Sequence, residues 1–401
     1  MASTDHVVPR STGLLESISS AVSRSRLVDT AMRLCSVYSP TGSAGEVADV
    51  LAELLTSEGF TVERYDAGWP AAPAVAARLS SGKPGRTLQF NGHLDTVHLP
   101  FVKPAVSGDR MTGSGSADMK AGTAAAVEAL FALRDSGVLP GGGILLTAHD
   151  LHEAPWGDGS QLDRLIDDGV RGDAALIPEY LCDTLAIAGR GQATFRATIR
   201  RAGLPVHEVM RAADDPNVIA VGAELVRRLV AWNEQLGGDR DPVAGAQSAF
   251  VGQLHAGEIY NQSPNECWLE GTRRWLPGAK AAEVEAEFRR LIEELAASSR
   301  TTIELRYQVV RDAFRLPLED PLVAAFDAAF IATGQQPLPR GAKRFVDDGS
   351  SFWARAGMAA ITHGPQGGGA HTLEEWISIP ELVRVAKLYA AIAVEYCAPN
   401  A

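Results

Sequence analysis

The chain has 401 residues, 46% of them hydrophobic and 21% charged, and at that length two cores are the natural expectation. Its formal net charge of −12 argues against nucleic acid or an anionic membrane as a partner, because both require a basic surface. Cys35, Cys182, Cys267 and Cys397 form no CxxC pair, the first ten residues hold no apolar signal core, and no apolar run is long enough to span a bilayer. A reducing, cytoplasmic setting is therefore expected.

The first twelve or so residues read as a disordered leader. Leu27, Val28, Ala31, Leu34 and Cys35 then recur at helical spacing. After the Ser39–Gly42 loop, Ser43 with Glu46 has the spacing of a capping box, and a helix runs to Gly59. Strands are predicted at 61–65, 74–79, 87–92, 143–148 and 174–177, with helices at 121–133 and 162–168. That alternation indicates an α/β fold, a mixed sheet with helices on both faces. Near Ala186 the texture changes. Gln192–Arg200 alternates apolar and polar residues as a half-exposed antiparallel strand does. A helix at 217–235, strands at 250–253 and 267–274, a helix at 282–296 and a strand at 302–308 follow. This is an α+β domain with a four-stranded sheet and two helices. The expected division is a catalytic domain of residues 13–185 and 311–401, interrupted by an inserted domain at 186–310.

Residues with ligand chemistry stand at or just beyond predicted strand ends, where open α/β sheets hold their sites. His93 and Asp95 lie two apart in Gly92-His93-Leu94-Asp95, so Asp95 can hold one ring N–H if His93 binds a metal through the other nitrogen. A polar strand end is the plainer reading of that pair. Gly115-Ser116-Ala117-Asp118 delivers a carboxylate before an Ala-rich helix, which a helix cap would also do. His152 and Glu153 follow the strand ending at Ala148, and Glu179 follows the one ending at Ile177. A Gly-rich segment ends in Ala370-His371-Thr372, with His363 as the rival histidine. Two histidines and three carboxylates are a donor set for two divalent cations sharing one carboxylate; zinc suits it, with manganese or cobalt as substitutes.

The order Gly-His-Leu-Asp-Thr, Gly-Ser-Ala-Asp-Met-Lys, a Glu after a strand, Glu179 and a late Ala-His-Thr resembles the co-catalytic zinc hydrolases that include aminoacylase, acetylornithine deacetylase, succinyl-diaminopimelate desuccinylase and glutamate carboxypeptidase. The resemblance implies His93 and Glu179 as ligands of one metal, Glu153 and His371 of the other, Asp118 as the bridge and Asp95 as the residue orienting His93. It implies that the inserted domain is a lid and dimerisation domain whose His207 stabilises an oxyanion. Asn261 and Arg274 match an NxxP…RxxPG pattern, with Arg274 gripping a substrate carboxylate and Arg273 as its rival. The family usually carries two adjacent glutamates where this chain has His152-Glu153, so an imidazole occupies the general-base position. A neutral histidine can do that work. The implied activity is hydrolysis of an amide bond in a small N-acyl amino acid or dipeptide-like substrate by a homodimer. A metallo-dipeptidase or aminopeptidase, and a degenerate member that binds metal or ligand without turnover, are the alternatives. Trp156, Trp275, Phe345, Phe352 and Trp353 stand as candidates for a substrate pocket or for simple packing.

Overall fold

The computed structural model describes residues 9–155 and 157–399, so Trp156 lies outside the described residues. The chain forms two compact units. Residues up to Ile187, with Leu316–Arg340 and Asp347 onward, form one, and Ala188–Arg315 with Gly341–Val346 form the other. The mixed α/β class and the four-stranded insert expected from the sequence are both present. Among the described residues no helix is long and apolar enough to cross a membrane. The four cysteines are free thiols.

The first unit is built on a six-stranded sheet in the order Val62–Tyr65, Ala74–Ser80, Gly143–His149, Thr87–His93, Ala174–Ile177, Ala359–Thr362. The first two pairings are antiparallel and the remaining three parallel. The apolar stretches 144–146 and Ala174–Ile177 are buried because both faces of the sheet are covered, while Gln89, Asn91 and Thr147 are buried polar residues of the same inner strands. On one face Ala175, Ile177 and Ala360 pack with Leu162, Ile166 and Phe352 from the helices Ser160–Asp167 and Asp348–Ala356. On the other, the Phe90 ring lies 6.1 Å from that of Tyr389 in the helix Ile379–Cys397. Each such buried aromatic contributes roughly 1.5–3 kcal/mol.

Two local expectations fail. Arg10–Ala21, which begins at the end of the supposed leader, is a helix held by buried Ile18 and by Ser11, whose N–H and hydroxyl both donate to Glu395 at 2.6 and 2.7 Å; residues 1–8 lie outside the described residues. The capping box at Ser43 does not form, and the helix starts at Gly45 without a side-chain cap. Instead the Asp150 carboxylate accepts the N–H groups of Gly42 and Ala44 at 2.9 and 3.0 Å and so holds the loop that leads into the helix.

In the second unit the strands Ser248–Ala256, Glu266–Trp275, Gly191–Arg200 and Thr302–Arg311 form one antiparallel sheet in that order. Alternate residues Phe195, Ala197 and Ile199 turn inward against Leu225 and Leu229 of the helix Val218–Leu236 and Phe288 and Ile292 of the helix Ala281–Ser299. The polar alternation read from the sequence is the outward face of this layer.

Candidate active site

Register places the cluster. The parallel strands pair His93 with His149 and Phe90 with Leu176, so three residues beyond that second pair stand His93 and Glu179. Asp118 arrives from the loop before the helix Lys120–Ser136. That loop approaches Glu179 because residue 122 is glycine: a Cβ there would lie 1.9 Å from the Pro178 carbonyl oxygen. Asp118 makes no side-chain cap on the helix.

The five residues singled out as ligands converge. Asp118 Oδ1 lies 3.1 Å from His93 Nε2, and its Oδ2 lies 3.4 Å from His371 Nε2. Glu179 Oε1 is 3.7 Å from His93 Nε2, while Glu153 Oε2 is 3.2 Å from His371 Nε2. One carboxylate thus faces two histidines, each with its own glutamate. His371 is half-exposed and holds a left-handed backbone, φ 61°, a conformation costing a non-glycine residue roughly 1–3 kcal/mol. His152 lies above His93 with the rings parallel at 4.0 Å, its Nε2 3.9 Å from Glu179 Oε1.

The electrostatics fit a cationic occupant. Burial and the neighbouring Asp118 charge push the Glu179 carboxyl well above the usual range. Burial also works against Asp118 ionising, yet hydrogen bonds from His371 and His93 hold it far below that range. His371 is pushed up to about 10 by its bonds to Asp118 and Glu153. Three buried carboxylates with imidazole nitrogens aimed into one space are a hard-to-borderline donor set, and ligand atoms of His93, Asp118 and Glu153, or of His93, His152 and Glu179, lie within 4.8 Å of one another.

The supporting residues are as ordered as the cluster. His93 Nδ1–H donates to the main-chain oxygen of Asp95 at 3.0 Å, whereas the Asp95 carboxylate is 3.6 Å away. The main-chain oxygen of Asp95 is thus the nearer acceptor for His93 Nδ1–H, with the carboxylate the sequence suggested close behind it. Asp95 Oδ2 instead accepts the N–H groups of His152 and Glu153 and the Thr41 hydroxyl, at 3.0, 2.8 and 2.9 Å, and so fixes the loop carrying the second glutamate. Glu375 clips the Asp118 loop by accepting the N–H groups of Gly115, Ala117 and Asp118 at 2.8, 2.8 and 2.7 Å.

Asp348, at the start of the helix Asp348–Ala356, is wholly buried and accepts His149 Nε2–H at 2.8 Å, Asn91 Nδ2–H at 2.9 Å and His152 Nδ1–H at 2.8 Å. His149 also donates Nδ1–H to the Asp150 carbonyl at 2.9 Å. Burial opposes a charge on this ring, but the Asp348 carboxylate raises its pKa above the ordinary histidine value. From the sequence, Asp348 stands only before a Gly-Ser-Ser turn where the resembled family often has a substrate-facing loop, and Glu375 only at the end of the His371 segment, with nothing to join either to its partners. His363, the rival ligand, is not in the cluster: it is buried edge-on to Phe326 and Phe330 at 5.2 and 5.5 Å.

His207, Asn261, Arg273, Arg274 and Trp275 lie in the second unit. His207 is exposed and paired with Glu208 at 2.8 Å, and its Nε2 is 3.1 Å from Asn261 Nδ2, so these two meet. Arg273 is buried, donates to Gln247 at 2.7 Å and stacks over Trp232 at 4.9 Å, a packing role. Arg274 is half-buried, its pKa lowered by burial and by the Arg190 charge. Trp275 and Phe352 are packed in cores.

The model of peptidase family M20/M25/M40 matches residues 89–395. The succinyl-diaminopimelate desuccinylase of Alkalilimnicola ehrlichii is 27% identical over 394 residues, covering 92% of this chain and 98% of that protein. The aminopeptidase PepT of Bacillus cereus superposes with a TM-score of 0.76 at 21% identity, covering 94% of this chain and 99% of that one. The YXEP protein of Bacillus subtilis, described as a dinuclear metal-binding peptidase, gives 0.69 at 15% identity over 92% of this chain and 97% of its own. Likeness at those two identities shows the fold.

Proposed function

The chain belongs to peptidase family M20/M25/M40 and is a metallohydrolase of amide bonds, and from its site we propose that it cleaves a small N-acyl amino acid or dipeptide-like substrate with His152 as general base. The observation that carries this reading is Asp118, whose two oxygens face His93 and His371, each beside its own glutamate. His93, Glu179 and Asp118 would hold one divalent cation, and Asp118, Glu153 and His371 a second, with zinc the best match to the donors and manganese or cobalt as substitutes. When bound, such a pair supplies Lewis acidity to a carbonyl and to water.

His152 donates through Nδ1 and so offers Nε2 as an acceptor beside the cluster. It takes the proton of the attacking water and returns it to the leaving nitrogen. Asp95 keeps His152 and Glu153 in register through their N–H groups. In the second unit, Arg274 offers a guanidinium fork to a substrate carboxylate, and His207 with Asn261 offers donors to the carbonyl oxygen as it becomes anionic. We assign the second unit as a lid that pairs with a second copy of the chain. Free thiols and the acidic surface support a reducing, cytoplasmic setting.

The test is release of free amine from a panel of N-acyl amino acids and dipeptides, with zinc or manganese added and with chelator. Turnover that chelator abolishes and metal restores is the expected result. Protein that holds two metals and turns over no member of the panel would overturn the substrate assignment and favour a degenerate binding protein.

A further inference from the structure

The Asp348 carboxylate is the terminus of a buried hydrogen-bond chain whose direction is fixed at its far end. The Gly172 backbone N–H donates to Gln89 Oε1 at 3.0 Å, so the Gln89 amide must present Nε2–H to Thr147 Oγ1, at 2.7 Å. Thr147 then donates to Asn91 Oδ1 at 2.8 Å, which turns Asn91 Nδ2–H onto Asp348 Oδ2 at 2.9 Å. The same oxygen accepts His149 Nε2–H. With Oδ2 occupied by two donors, Oδ1 is the atom left facing His152 Nδ1, at 2.8 Å. A peptide N–H has one polarity, so every member of this chain has one orientation.

We infer that Asp348 is a positioning residue for the reaction: it holds His152 in the tautomer with the proton on Nδ1 and keeps Nε2 bare toward the metal cluster. The inference rests on His152 being the base. It makes Asp348 and His152 a carboxylate–imidazole pair, in which the carboxylate also steadies the positive ring formed when Nε2 takes a proton. Asp348 comes from a helix start and His152 from a loop after the Gly143–His149 strand, so the pair exists only in the folded chain.

Asp348→Asn makes a sharp prediction. Asn91 and His149 still demand an oxygen on their side, so the new amide group presents N–H to His152 Nδ1. The imidazole proton is driven to Nε2, the nitrogen that must accept. The expected result in the zinc-loaded protein is two zinc ions retained, KM within about threefold, and kcat reduced about 100-fold or more. Asp348→Glu should regain part of that loss. The double variant with His152→Ala should be no slower than His152→Ala alone, because the carboxylate acts through the ring.

Histidine-ring nitrogen NMR on the zinc-loaded wild type reads the tautomer directly and does not depend on any variant folding. The proton on Nδ1 of His152, moved to Nε2 in Asp348→Asn, supports the inference. A wild-type ring protonated on Nε2, or one whose Nε2 carries the signature of zinc coordination, overturns it. So does a kcat in Asp348→Asn near wild type while His152→Ala is slow. If His152→Ala itself turns over normally, the base assignment has failed and the positioning role goes with it.

Discussion

Two strands of the same sheet deliver a buried histidine at their C-terminal ends, and the chain treats them in opposite ways. His149 ends the Gly143–His149 strand with both ring nitrogens donating, one to the Asp150 carbonyl and one to Asp348, and its pKa is raised. His363 follows the Ala359–Thr362 strand with neither nitrogen hydrogen-bonded among the described residues and two phenylalanine edges against its ring; burial and the Arg384 charge push it down to about 3. Both rings are fully buried. What separates a site histidine from a packed one here is therefore the carboxylate beyond it, not its depth or its place at a strand end.

The largest effect should come from breaking the paired side. His149→Phe takes from buried Asp348 one of its two imidazole partners, and losing one member of such a buried pair costs roughly 3–5 kcal/mol. Urea unfolding at neutral pH checks this; a loss below about 1 kcal/mol would mean that the pair contributes little. Removing the unpaired histidine should act with the other sign and only in acid. Its folded pKa lies below the unfolded value of about 6.5, so the unfolded chain takes a proton that the folded one refuses. Stability attributable to this residue is thus intact above about pH 6.5 and falls as pH drops toward about 3, at roughly 1.4 kcal/mol per pH unit. His363→Leu should therefore gain roughly 3 kcal/mol over wild type at pH 4.5 relative to pH 7, measured by urea unfolding with chelator present throughout. Parallel losses in the two proteins would show that His363 is protonated when folded.

The smallest effect sharpens the same contrast at a third buried group. Glu375 faces the backbone N–H donors of Gly115, Ala117 and Asp118, and burial raises its pKa to about 7. Glu375→Gln brings an amide N–H against those donors and loosens the Asp118 loop. Zinc affinity should fall about 10–100-fold, as for other groups that orient a ligand. Competition with a colorimetric chelator reads this, and an unchanged affinity would show that the loop holds without its clip.

The sequence carried the sheet, the inserted four-stranded layer and the five residues that meet around Asp118, because each rests on a short-range signal: apolar periodicity, or a ligand just past a strand. His152 was visible as an imidazole standing where the resembled family has a carboxylate. Asp348, seen only as standing before a turn that faces substrate in the resembled family, and Glu375 could not be joined to His152 and Asp118, since those bonds span 196 and 257 residues. The Ser43 cap did not form, and the local spacing carried no sign that Asp150, 106 residues away, would take the Ala44 N–H at that helix start. The helix Arg10–Ala21 was missed because its anchor, Glu395, lies at the opposite end of the chain.

The Glu375 clip also sets an order of assembly. Asp118 is synthesised early, but the side chain that fixes its loop is added 257 residues later, after the whole Ala188–Arg315 insert. A growing chain pays the entropy of that long closure only once its C-terminal segment arrives. Until then the bridging carboxylate sits on an unclipped loop, and a nascent chain stopped short of residue 375 should hold metal weakly however well its first strands have formed.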